Sequence, residues 1–256
     1  MLGIDLVEVS ADFECCYNEA TKHLQNQVAG ELKWFKSYPK PPFLEHMSFY
    51  LGNQLFFIML EDVDHQLEEN STTNGLLLIA NRCQGHACVM PMRKSLGKWA
   101  PAEKGWGLLD AQTRMPVNPS ELKSDVLIEM TDWELHDIAL KLVRKKLEEV
   151  GLEVTSWQSY PEVDPSLWFV GKTGPRWLLV RAVRYPLKKA EKPAHLMDIQ
   201  KVYAHAGRFG YFASVLFTSL SESFDPRAEE NGNIAPLYRG EEIDVQFTSI
   251  DELEFK

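Results

Sequence analysis

Apolar positions fall into two regimes along the chain. From Ser10 to residue 36 they recur at spacings of three and four, through Phe13, Tyr17, Ala20, Leu24, Val28 and Leu32, which predicts a helix over 10–36 with Ser10 as its cap. The Tyr38-Pro39-Lys40-Pro41-Pro42 run breaks it. Shorter apolar blocks then take over. Met47 to Leu51 and Gln54 to Leu60 flank Gly52-Asn53 and read as a hairpin. Residues 61–74 are polar and acidic and read as an exposed loop. Leu76 to Ala80 and Ala87 to Met92 are strand candidates, a loop spans Lys98 to Gly105, and Gly107 to Asp110 with Met115 to Val117 form a short pair.

The pattern changes after Asn118 to Asp125, which sets an expected boundary between an N-terminal region, 1–122, and a C-terminal one, 123–256. Thr131-Asp132-Trp133-Glu134 is a capping box, because the Thr hydroxyl and Glu carboxylate can each satisfy an amide left open at a helix start. The stripe Leu135, Ile138, Ala139, Leu142, Leu147 and Val150 follows, and Gly151 stops the helix. Strands are expected at Leu152 to Trp157, Leu167 to Val170, Trp177 to Tyr185, Tyr211 to Leu220 and Ile243 to Phe247. A helix is expected at His195 to His205, and a polar loop at 221–234. The fold class is α/β or α+β, a mixed sheet flanked by helices, with a smaller mixed helix-and-strand region in the N-terminal half.

Composition narrows the class more than the function. The chain has 256 residues, 45% hydrophobic and 25% charged, which fits a folded domain. Its net charge of −10 argues against a globally basic nucleic-acid binder. That charge is uneven. Residues 172–208 net +7, with Lys172, Arg176, Arg181, Arg184, Lys188, Lys189, Lys192, Lys201 and Arg208 against two acids. Residues 221–256 net −7. The basic stretch offers a contact for phosphates or an acidic protein, unless the acidic tail folds over it. No apolar run reaches the roughly 18–20 residues of a membrane span, and the first twelve residues lack a secretory pattern. Four cysteines, two of them adjacent, make no disulfide framework. A reduced, cytoplasmic protein with no membrane contact is expected.

The order helix, strand, strand, strand, helix, strand over about 125–220 resembles the PD-(D/E)XK, or restriction-endonuclease-like, superfamily. The acidic Glu162-Val163-Asp164-Pro165 ahead of Leu167-Trp168-Phe169-Val170 strengthens the likeness, with Asp164 at the position of the family's first metal ligand. The resemblance implies a Glu-any-Lys pair on the next strand, oxygen ligands for Mg²⁺ and a lysine beside the attacking water. Here that strand reads Arg181-Ala182-Val183. Residues two apart share a face of a strand, so arginine and valine stand where acid and lysine belong. Either the site is lost or its members have moved. In the second case Glu134, Asp164 and Lys172 form the candidate catalytic set, with Lys188, Lys189, Asp198 and Lys201 as further sources of migrated groups. The plain alternative for Asp164 is an Asp-Pro turn.

Other constellations carry less. Cys83, His86 and Cys88 place three soft ligands within six residues, and His46 or His65 would complete a zinc tetrahedron. Buried cysteines around a Gly85 turn explain the same residues. Gly171-Lys172-Thr173-Gly174 lacks the spacing and following helix of a phosphate loop. Tyr211, Phe212 and Phe217 read as core. Trp99, Trp106, Trp157 and Trp168 fall near loops or strand ends, where exposure would mark a binding surface.

Together these features point to a non-catalytic protein on a degenerate nuclease-like fold, needing no cofactor and acting on a protein partner in an immunity, accessory or regulatory role. Arg181, Arg184, Lys188 and Lys189 are its candidate binding residues. The first alternative is a Mg²⁺-dependent DNA nuclease with a migrated site, the second a Zn²⁺-stabilised binding module.

Overall fold

The protein is α+β, with two mixed sheets flanked by four helices among the described residues. The computed structural model describes residues 10–36, 47–65, 67, 72–172, 174–203, 209–220 and 234–253. These fall into two units, Met1–Ile128 and Glu129–Lys256; the expected division lay at 122.

In the first unit, Ser10 caps α1 (Ala11–Gln25), accepting a hydrogen bond from the Phe13 amide at 3.1 Å. The helix ends at Gln25 rather than running to 36. The Gln25 side chain donates to the Gly30 carbonyl at 2.8 Å and accepts from the Leu32 amide at 3.2 Å, folding the chain back. Lys33–Lys36 then forms strand β1 against β2 (Met47–Leu51), with Trp34 packed edge-on to Phe49. The expected hairpin of β2 and β3 (Gln54–Asp62) is present, with Gly52 at φ +61° in its turn.

Leu76 to Ala80 is helical, not a strand, within α2 (Thr73–Arg82). Thr72 caps it by accepting from the Gly75 amide at 3.1 Å. The physical reason lies in topology. Strand β4 (His86–Ser95) pairs parallel to β3, and parallel neighbours need a crossover, which this short apolar run supplies as a helix. Part of the expected loop at Lys98 to Gly105 is strand β5 (Lys98–Pro101), paired with the end of β4. With β6 (Leu108–Asp110) and β7 (Pro116–Val117), the sheet order is β1-β2-β3-β4-β6-β7. Its core joins Tyr17 and Leu24 of α1 to Phe49, Phe56, Ile58 and Met90. Trp99 and Trp106 belong to that core and are no surface for a partner.

The second unit opens on α3 (Asp132–Glu149), whose capping box forms as expected. Strands β8 (Glu153–Trp157), β9 (Leu167–Gly171) and β10 (Gly174–Arg184) form an antiparallel meander. Helix α4 (Leu196–Tyr203) crosses to β11 (Gly210–Ser219), parallel to β10, and β12 (Ile243–Leu253) closes the sheet antiparallel. The order helix, strand, strand, strand, helix, strand holds, and spatial order follows chain order, β8-β9-β10-β11-β12. The expected loop at 221–234 lies outside the described residues except for Ile234.

Alternation along β10 assigns its two faces. Leu178 and Val180 pack under α3 with Leu135, Ala139 and Val143, whereas Trp177 and Leu179 pack under α4 with Ile199. Each fully buried aliphatic side chain contributes roughly 1.5–3 kcal/mol. Gly210 is required where it stands: a Cβ there would lie 2.2 Å from the buried Trp177 ring.

Candidate functional site

Two backbone anchors bring Asp164 to β10. The Ser166 amide donates to the Leu178 carbonyl at 3.0 Å, and the Val180 amide donates to the Ser166 hydroxyl at 3.0 Å. Ser166 is fully buried, so the Asp164-Pro165-Ser166 approach is tied along β10 before β9 begins. This sets Asp164 beside Arg181, whose Nη2 donates to Oδ2 at 2.6 Å. Arg181 also donates to the Val180 carbonyl at 2.9 Å, and the Tyr203 hydroxyl of α4 donates to the Asp164 carbonyl at 3.2 Å. His195 Nε2 stands 3.5 Å from the same Oδ2, on the more exposed side. The Asp164 side chain is 4% exposed, and its Oδ1 has no partner among the described residues.

This arrangement does not fit a divalent cation. An oxygen cage of several ligands is what Mg²⁺ requires, and here a fixed guanidinium charge already meets the one carboxylate at salt-bridge distance. Arg181 and Asp164 are therefore brought together as an ion pair. Val183, two residues further along β10, is buried.

Glu134 is not part of that cluster. It lies on α3, across the sheet, with no exposure. Arg239 Nε and Nη2 donate to its two oxygens, each at 2.8 Å, and the Thr131 amide and hydroxyl donate to Oε2 at 2.9 and 2.8 Å. The carboxylate that reads as a migrated ligand is thus a helix cap and half of a buried ion pair. Its partner Arg239 left no local signal, since only the return of the chain 105 residues later places it there. Lys172 sits exposed at the β9–β10 turn, while Asp198 and Lys201 pair with each other on the open side of α4 at 3.7 Å. The convergence of Glu134, Asp164 and a lysine that the migrated-site alternative requires does not occur among the described residues.

Part of the basic stretch is answered by carboxylates. Arg184 bonds Glu129, donates to the Met130 carbonyl at 2.7 Å and stands 3.4 Å from Asp132. Arg184, Glu129 and Asp132 line an open cavity of about 430 Å³ with Ala182, Val183, Leu187 and Ile234. Lys189 bonds Asp251 of β12, and the Lys189 ammonium holds the Asp251 carboxyl below its ordinary 3.8. So part of the acidic tail does lie along the basic stretch. Lys188 and Lys192 remain exposed.

The cysteine constellation is drawn into the first unit's interior. Cys83 caps the end of α2 and is buried. Cys88 lies in the core, where burial, with Asp110 nearby, pushes its thiol up to about 12, so it stays protonated. His86 hydrogen-bonds Gln54 at 2.9 Å and stacks on Phe56. His65 is exposed, and His46 lies outside the described residues. Among the described residues no three His, Cys, Asp or Glu side chains are grouped to hold a metal ion, and no helix is long and apolar enough to cross a membrane.

A family model described as a domain of unknown function, DUF8840, matches residues 133–253, from the second residue of α3 to the end of β12. Comparison with curated proteins and with solved structures finds no match.

Proposed function

We propose that the second unit is a catalytically silent, nuclease-like domain that works by binding a protein partner, in an immunity, accessory or regulatory role. One observation carries the silent half of this reading: the Arg181 guanidinium at 2.6 Å from the buried Asp164 carboxylate, on the face where the likeness to PD-(D/E)XK enzymes puts a metal. An arginine keeps its charge at any working pH and cannot ligate a cation, so the pair substitutes a permanent internal cation for an exchangeable one. The helix, strand, strand, strand, helix, strand order supports the scaffold assignment. The binding half rests on charge. Arg181, Arg184 and Lys189 are already answered by acids, which takes three cations away from a phosphate backbone, and the chain carries −10 overall. A reduced cytoplasmic setting goes with this reading.

The test is a cleavage assay on supercoiled, linear and single-stranded DNA with Mg²⁺ or Mn²⁺. Expected is no cleavage beyond that of Asp164→Ala, and no divalent-ion heat in calorimetry. Metal-dependent cleavage that Asp164→Ala abolishes would overturn the silent half. Purification at natural abundance under mild salt tests the other half: a stoichiometric protein partner is expected, and a chain that elutes alone counts against it.

A further inference from the structure

The end of β4 and the whole of β5 form an arm that extends past the sheet of the first unit. Strand β3 accompanies β4 only as far as Met92, and beyond it the sole pairing is with β5: Arg93 with Ala100, Lys94 with Trp99, Ser95 with Lys98. One side of the arm is fixed. Trp99 is buried, its indole donates to Asp12 of α1 at 3.1 Å, and Lys94 bonds the same carboxylate at 2.7 and 2.8 Å. The other side is bare: Arg93, Ser95, Lys98 and Ala100 are all exposed. Neither Arg93 nor Lys98 has an acidic partner among the described residues.

The tip breaks the usual turn chemistry. Leu96 and Gly97 are its two central residues, at φ +50° and +78°, the combination of a two-residue turn that asparagine-glycine fits best. A bulky residue there is strained, and Leu96 gains no packing in return, since it is 101% exposed. Strain and exposure without an internal benefit point outward. We infer that Leu96 is an anchor for a protein partner, entering an apolar socket on an acidic surface whose charges meet Arg93 and Lys98. The propped arm presents the leucine without an ordering cost at binding. A protein is the occupant because one leucine and two free cations give marginal hold on a lipid surface, whereas a shaped apolar socket rimmed by acids encloses the leucine and meets both charges. The inference stands apart from the reading of the second unit, on which it does not draw.

The full-length protein, carrying a photo-activatable leucine analogue at position 96, tests it in cells at natural abundance. Expected is an adduct on a protein segment of net negative charge, cut about tenfold by Arg93→Glu with Lys98→Glu, and missing when the analogue replaces Met115, another exposed apolar side chain of the first unit. A lipid or nucleic-acid adduct, an adduct indifferent to charge reversal, or none beyond the Met115 control overturns it. Leu96→Asn separates this from a structural role. It should raise Tm by roughly 2–4 °C while weakening binding of the captured segment, as a synthetic peptide, about tenfold. A Tm that stays or falls makes Leu96 a residue of the fold and overturns the inference as well.

Discussion

Glu134 receives Arg239 through two nitrogens, each at 2.8 Å, with neither side chain exposed, whereas Asp164 receives Arg181 through one nitrogen at 2.6 Å and keeps one oxygen without a partner among the described residues. Both are carboxylate–guanidinium pairs in the same unit, on opposite faces of one sheet. The difference lies in completion. Around Glu134 the Thr131 amide and hydroxyl fill the remaining acceptor capacity, so each oxygen of the buried carboxylate meets donors. Around Asp164 the pair stops short, beside a half-open histidine. A fully satisfied pair belongs to the scaffold; an unfinished one marks a place where the fold tolerates change.

Removing one partner from the completed pair should have the largest effect. Arg239→Ala leaves the Glu134 charge buried and alone, costing about 3–5 kcal/mol in urea unfolding. Replacing both, Glu134→Leu with Arg239→Met, should return most of that loss and leave about 1 kcal/mol for the broken capping box. If the double variant is as unstable as the two singles added, the pair is not the closed unit described here. Arg181→Ala should cost less, about 1–3 kcal/mol, because Arg181 is partly exposed and water can replace it beside Asp164. It should not create metal-dependent cleavage.

The exposed Lys189–Asp251 pair sets the lower end of the scale. Lys189→Ala should cost under about 0.5 kcal/mol at neutral pH, since water screens both groups. Its pH dependence has a defined sign. The folded Asp251 carboxyl is held below 3.8 by Lys189, so the pair stabilises above the ordinary carboxylate range and loses that contribution as pH falls through the depressed value. Wild type and Lys189→Ala should therefore converge in acid. A gap that widens on acidification would contradict the assignment.

Much of the second unit was legible before folding. Thr131 and Glu134 sit three apart ahead of an apolar stripe, and the capping box they announce is there. In the first unit the helix expected to reach 36 stops at Gln25, because a glutamine side chain folds the turn, an interaction no periodicity carries. The run Leu76 to Ala80 suits strand and helix equally, and only the parallel pairing of β3 with β4 decides for the helix. Of the candidate site, Asp164 and Arg181 were visible as an acid and a charge reversal. Their union was not, since it depends on Ser166 being tied to Leu178 and Val180 across the sheet. Trp99 and Trp106, near loops in the chain, are core in the fold, because chain position says nothing of what packs above.

By itself the sequence determined what is local and periodic: the Ser10 cap, the capping box and the hairpin turn, the strand alternation, the fold class and the lopsided charge. Those follow from side-chain chemistry within a few residues of the backbone it acts on. The tertiary structure alone decided which acid meets which arginine, that Asp251 lies beside Lys189, and that Leu96 stands bare at the end of a supported arm. Such contacts join residues far apart in the chain, and their energies depend on burial, which exists only once the layers have closed.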